Sequence, residues 1–148
     1  MLARPTATGQ ERTYTPLSNV RKNILHHLSI AVSDLNRASS FYDAVLAPLG
    51  YVQVFADDEA VGYGYAGGGD KLCLKLTDRV QVPGEGFHLA FAATEPEHID
   101  KFHAAALVHG GQCNGLPGPR PEYGNGYYAA FVFDPDGYRI EAVINKSE

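Results

Sequence analysis

Only two cysteines, Cys73 and Cys113, occur in the 148 residues. That is too few for the disulfide framework of a small secreted domain, and both read as free thiols in a reducing cytoplasm. Basic residues are scarce: 12 Lys and Arg stand against 17 Asp and Glu, a net charge of −5. Nucleic-acid binding needs a basic face, and no basic run supplies one. No apolar stretch approaches the roughly 20 residues that a membrane helix needs. The first 22 residues contain no apolar h-region, so no secretory signal is expected there. They carry Arg4, Arg12 and Arg21 with one acid, Glu11, and read as a tail or small docking arm. No Gly-x-Ser-x-Gly elbow is present, and neither cysteine stands in an obvious thiolate-stabilising setting, so covalent catalysis is not expected.

Hydrophobic residues make up 45% and charged residues 20% of the chain, an ordinary balance for a globular protein. One compact domain over about 23–148 is expected. Within it a repeat stands out. His27-Leu28-Ser29-Ile30-Ala31-Val32-Ser33-Asp34 is echoed by His88-Leu89-Ala90-Phe91-Ala92-Ala93-Thr94-Glu95. At the same offset Phe41 meets Phe102, Leu46 meets Leu107 and Gly50 meets Gly111. A fixed-period echo implies two copies of one structural unit, at about 23–80 and 84–148.

Each copy opens as a strand. Leu28, Ile30 and Val32 alternate with His27, Ser29 and Ala31, and Leu89, Phe91 and Ala93 alternate with His88, Ala90 and Ala92. The large residues should pack on helices, leaving each histidine on a face of small residues with room for a cavity. A helix follows each strand. Ser33 or Asp34 caps the first, with an apolar stripe of Leu35, Ala38, Phe41, Tyr42 and Val45, and Pro48 and Gly50 end it. Thr94-Glu95-Pro96-Glu97 reads as a capping box opening the second, with Ile99, Phe102 and Ala106 inward and Gly110-Gly111 as the stop.

Short strands come next, near 51–55, 61–65 and 71–76 in the first copy. The second has a weak strand near Gln112, then 127–133 and 138–144. Gly67 to Asp70 reads as a hairpin connection, which discounts the formal dinucleotide-fingerprint match at Gly62–Gly67. Asp134-Pro135-Asp136-Gly137 is a strong turn signal. Residues 112–126, rich in glycine and proline, read as a long connection of the kind that forms lids. Each unit is therefore βαβββ, and the class is α+β.

His27, His88 and Glu141 carry the chemistry. Ile140, Ala142 and Ile144 form the packing face of the last strand, so Glu141 projects to the other side. A charge there is costly unless it is paired, metal-bound or solvated. Two neutral imidazoles and a carboxylate can hold one face of a metal and leave the other positions open. The set suits Fe, Zn, Mn, Co or Ni. His26 should point away from His27, and His98, His103 and His109 read as a solvated helix face.

The duplicated βαβββ pattern, the two strand histidines and Phe133-Asp134-Pro135-Asp136-Gly137-Tyr138-Arg139-Ile140-Glu141 resemble the vicinal oxygen chelate superfamily. This group includes glyoxalase I, extradiol dioxygenases, and bleomycin- and fosfomycin-resistance proteins. The resemblance covers about residues 23–146. It implies two units curved into one cupped mixed sheet around a divalent metal, in a homodimer that binds a small molecule. Carried over from glyoxalase I, the four ligand places are His27, Lys75, His88 and Glu141. Lys75 departs from that pattern, because an ammonium has no lone pair for a metal. The remaining trio matches the dioxygenase ligand set. Lys75 either pairs with Glu141, reaches solvent, or points into the pocket, the position its alternation favours. There it could neutralise an anionic substrate or act as a general acid.

Tyr127 and Tyr128 are candidate acid–base groups, of which one should face the cavity. Arg120 and Tyr123 are candidate substrate contacts. The expected function is a metal-dependent enzyme with lyase, isomerase or dioxygenase chemistry on a substrate that chelates through oxygen. The alternative is a metal-free protein that sequesters a small molecule, as bleomycin-resistance proteins do.

Overall fold

The computed structural model describes residues 24–148, so the expected arm of residues 1–22 lies outside the described residues. The chain runs β1 (Leu28–Val32), α1 (Leu35–Leu46), a turn of 3-10 helix (Ala47–Leu49), β2 (Val52–Ala56), β3 (Ala60–Gly64) and β4 (Leu72–Leu76). It repeats the order with β5 (Leu89–Ala92), α2 (Pro96–Val108), β6 (Gln112–Pro119), a 3-10 turn (Pro121–Tyr123), β7 (Tyr127–Phe133) and β8 (Arg139–Asn145). The two βαβββ units are thus present. As expected for the α+β class with two such modules, the strands form mixed sheets, one four-stranded sheet per unit, ordered β1-β4-β3-β2 and β5-β8-β7-β6. In each, the first and last strands of the unit pair in parallel and the other pairs are antiparallel.

The helices follow their stripes. Asp34 caps α1, accepting the Arg37 N–H at 2.9 Å, and Ala38, Phe41, Tyr42, Val45 and Leu46 are buried. Gly50, at φ 87°, closes the following turn in a conformation that suits glycine. Helix α2 begins at Pro96, but the capping box does not form: Glu95 is the N-cap without a side-chain bond. The Thr94 hydroxyl lies instead 3.2 Å from His98 Nδ1.

Residues 112–119 are also not a loop. They pair with β7 as an edge strand whose register slips on either side of Gly115. Pro117 and Pro119 are tolerated there because an edge strand leaves one row of backbone N–H groups unpaired.

Both units contribute to a single core, with Ile30, Val32, Phe41 and Leu74 from the first and Phe102, Val132 and Ile140 from the second. The Asp134–Gly137 turn fastens them together. Asp134 accepts the Tyr42 hydroxyl at 2.7 Å and the Tyr138 N–H at 2.8 Å, and the Tyr138 hydroxyl reaches the Ala31 carbonyl at 2.8 Å. The opposite face of each sheet stays open, with Ser29 and Lys75 exposed on one and Ala90 and Ala92 on the other.

Candidate metal centre

The open face of the second sheet gathers the functional groups. Parallel pairing sets Ala90 of β5 beside Glu141 of β8, and antiparallel pairing sets Phe131 of β7 on its other flank. Because alternate residues share a face, His88, Glu141, Phe131 and Tyr127 all project the same way. His88 Nε2 lies 2.8 Å from Glu141 Oε2. The Tyr127 hydroxyl donates to Glu141 Oε1 at 2.6 Å.

Glu141 is 1% exposed, whereas half of the His88 side chain meets solvent. A carboxylate this far from water is stable only when its lone pairs are engaged, and each oxygen here has one partner. Burial, then the bond to Glu141, pushes the Tyr127 phenol well above its ordinary range. Tyr127 therefore stays protonated as a donor through neutral pH.

Aromatic rings frame this group. Tyr123 meets Tyr127 edge-on at 5.3 Å, and Phe131 lies 6.4 Å from the His88 ring. The Arg120 guanidinium sits 5.5 Å from the Phe131 centroid. Its Nη2 donates to the Leu116 carbonyl at 2.6 Å and its Nη1 to the Gly118 carbonyl at 3.1 Å. Arg120, expected to contact substrate, is thus engaged first as a clasp on the irregular end of β6.

The two tyrosines part company. Tyr128 projects to the helix side and donates to Asp100 of α2 at 2.7 Å. Tyr127 is the one that joins Glu141, and Tyr128 has no place at this face.

The first module's groups stand elsewhere. His27 is exposed and lines an apolar groove of about 650 Å³ with Tyr51, Tyr65 and Phe91, at the junction of the modules. His26 does not point away from it: their Nδ1 atoms are 2.8 Å apart and the rings meet edge-on. Among the described residues, no three His, Cys, Asp or Glu side chains lie together closely enough to hold a metal ion. One chain unites His88 and Glu141 and leaves His27 apart.

Lys75 is exposed on the open face of the first sheet, opposite Ala31. Glu141 pairs with His88 and not with Lys75. Counted from the leading histidines, the place of Glu141 (opposite Ala90) falls in the first sheet to Cys73, opposite Ser29, two residues before Lys75.

The expected solvated face of α2 needs one correction. His98 is half-buried, and His109 is exposed with Nδ1 2.9 Å from the Ala105 carbonyl. His103, however, is only 5% exposed. Its Nε2 lies 3.1 Å from Cys113 Sγ. Its spacing gave the clue, since 99, 103 and 106 lie at i, i+4 and i+7 on the buried stripe.

Comparison with known proteins agrees with this architecture. The model of the Glyoxalase/Bleomycin resistance protein/Dioxygenase superfamily matches residues 24–142. The chain belongs to this superfamily. It is 30% identical over 124 residues to a metallothiol transferase FosB of Shouchella clausii, covering 80% of this chain and 78% of that protein. Among solved structures, a glyoxalase/bleomycin resistance protein of Albidiferax ferrireducens superposes with a TM-score of 0.70 and 33% identity, over 82% of this chain and 98% of that one. The fosfomycin resistance protein FosX of Listeria monocytogenes shares the fold, with a TM-score of 0.60 at 20% identity, over 80% and 90% of the two chains.

Proposed function

We propose that the chain is a metal-dependent enzyme whose site is completed by a second copy: His88 and Glu141 from one subunit and His27 from the other. The reading rests on the 2.8 Å approach of His88 Nε2 to Glu141 Oε2 on an open sheet face. Two donors each about 2.1 Å from one metal, at right angles, stand about 3.0 Å apart. A cation could thus sit between the two donor atoms. An imidazole and a carboxylate are borderline-to-hard donors suited to a divalent ion, and a third ligand would still leave coordination positions free. Within one chain His27 is not beside this pair, so the missing ligand is assigned to the partner subunit.

A bound metal would supply Lewis acidity to a substrate held through its oxygens. The protein's own groups do the rest. Tyr127 fixes the Glu141 carboxylate through Oε1, while Oε2 faces His88. Its raised pKa suits it to positioning and not to removing a proton. Tyr123 and Phe131 flank the face with aromatic rings. Lys75, exposed on the first sheet's open face, would bring a positive charge toward an anionic substrate if the partner's face covers the site.

The metallothiol transferase likeness favours transfer of a small thiol to the chelated substrate over the lyase and dioxygenase alternatives. The apolar groove favours a second reading, metal-free sequestration of an aromatic molecule. Elemental analysis and metal titration of tag-free protein separate them. The enzyme reading expects one divalent ion per site, lost in Glu141→Gln. A folded protein that takes up no metal but binds aromatic ligands contradicts it. With metal bound, assays of hemithioacetals, catechols, and small thiols with electrophiles decide the reaction.

A further inference from the structure

The Cys113–His103 pair lies outside the candidate metal centre and has no part in it. Its geometry follows from the local sequence. Helix α2 ends at Val108, Gly110 turns the chain at φ 91°, and the Gly111 N–H bonds back to Ala106 at 2.8 Å. A Cβ on Gly111 would come within 2.8 Å of the Phe133 carbonyl and of Phe41. Only glycine lets β6 start this close to the helix. The close start sets Cys113, second residue of β6, against His103 on the inner face of α2.

The two side chains differ in access. Cys113 is exposed and His103 is almost fully buried. Among the described residues, the one hydrogen-bond partner of the imidazole is the thiol, at 3.1 Å. That is the spacing of a nucleophile and its base. Burial lowers the pKa of the imidazole, and the charge of Asp100, one turn earlier on α2 and fixed by the Tyr128 hydroxyl, offsets part of that. Burial thus favours the neutral ring, whose Nε2 faces the thiol. The slip in register just after Cys113 places the thiol at a β-bulge, where edge strands commonly re-aim a side chain. The other cysteine, Cys73, is 4% exposed and hydrogen-bonds only to a carbonyl.

We propose that His103 and Cys113 form a nucleophile–base pair at which small disulfides thiolate the chain reversibly. The Cys113 proton passes to His103 Nε2. The thiolate attacks one sulfur of a disulfide RS–SR, the S–S bond breaks, and a Cys113–S–SR bond forms. The departing thiolate takes the proton back from the imidazolium and leaves as RSH. The disulfide is the oxidant, and excess RSH reverses the step. Nothing in this pair depends on a metal, so it stands or falls apart from the proposed enzyme activity.

The test is exposure of the full chain to oxidised glutathione, followed by intact mass and peptide mapping. The adduct is expected on Cys113 and absent from Cys73. At pH 6.5 its formation should outpace that of a cysteine peptide by at least about tenfold, and His103→Gln should remove the advantage. If that variant does not fold, the wild-type pH profile decides. An assisted thiol keeps reacting well below pH 8, whereas an unassisted one falls tenfold per unit below a pKa of about 8.5. A profile of the second kind, or a rate indifferent to His103→Gln in the folded variant, overturns the proposal.

Discussion

In the second module the strand paired with β5 places a carboxylate two residues past the histidine's level. In the first module the matching strand offers Cys73 at that level and Lys75 two residues on. The backbones follow one plan, yet Glu141 is buried against His88 and Tyr127 while Lys75 lies exposed. The leading histidines differ too: His88 meets a carboxylate and His27 meets only His26. Duplication thus conserved the frame and divided the chemistry. One module brings a histidine and a buried carboxylate together, and the other presents an exposed histidine beside His26.

The sharpest way to break that contrast is to exchange its two charged residues in turn. Glu141→Gln should lower divalent-metal affinity by at least about two orders of magnitude in calorimetric titration, since it removes a ligand. Lys75→Ala should leave affinity within about twofold. Equal losses would mean that Lys75 shapes the metal site as strongly as the carboxylate does.

The repeat partners Leu46 and Leu107 test the packing side of the comparison. Leu46 is 1% exposed and Leu107 is 48% exposed. Leu46→Ala should cost about 2–5 kcal/mol in denaturant unfolding. Leu107→Ala should cost about 0.5 kcal/mol or less, as surface changes do.

The neighbours Tyr127 and Tyr128 sharpen the assignment of faces. Tyr127→Phe frees Glu141 from its positioning bond and should weaken metal binding about tenfold. Tyr128→Phe severs only the strap to Asp100 and should leave metal binding unchanged.

The smallest contrast is between the helix starts. Asp34→Ala removes a side-chain cap and should destabilise the fold by about 1 kcal/mol. Glu95→Ala removes none and should be close to neutral by thermal unfolding.

Much of this frame was legible before any coordinates. Period-two strands, helical stripes and the Asp134–Gly137 turn each speak locally, and the structure keeps all three. The convergence of His88 and Glu141 was legible as well, because a repeat gives the leading histidine a fixed place and alternation gives the glutamate a face. What stayed hidden depended on pairing between distant segments. Residues 112–119 look like a loop by composition, and only β7 makes them a strand. Alternation requires that one of Tyr127 and Tyr128 face the open side, but the choice waits on the register between β7 and β8. His103 looked polar and solvated because composition outweighed its position on the stripe. The separation of His27 from Glu141 belongs to the packing of whole modules, which no local pattern encodes.

The central claim is a shared site between two copies, and subunit mixing tests it most directly. His27→Ala and Glu141→Ala proteins should each fail to hold metal. When the two are co-expressed or unfolded and refolded together, each heterodimer should regain one intact site, joining His27 of one chain to His88 and Glu141 of the other. Recovered metal binding in the mixture is the expected result. A mixture as empty as its parents, with heterodimers shown to have formed, would contradict the account.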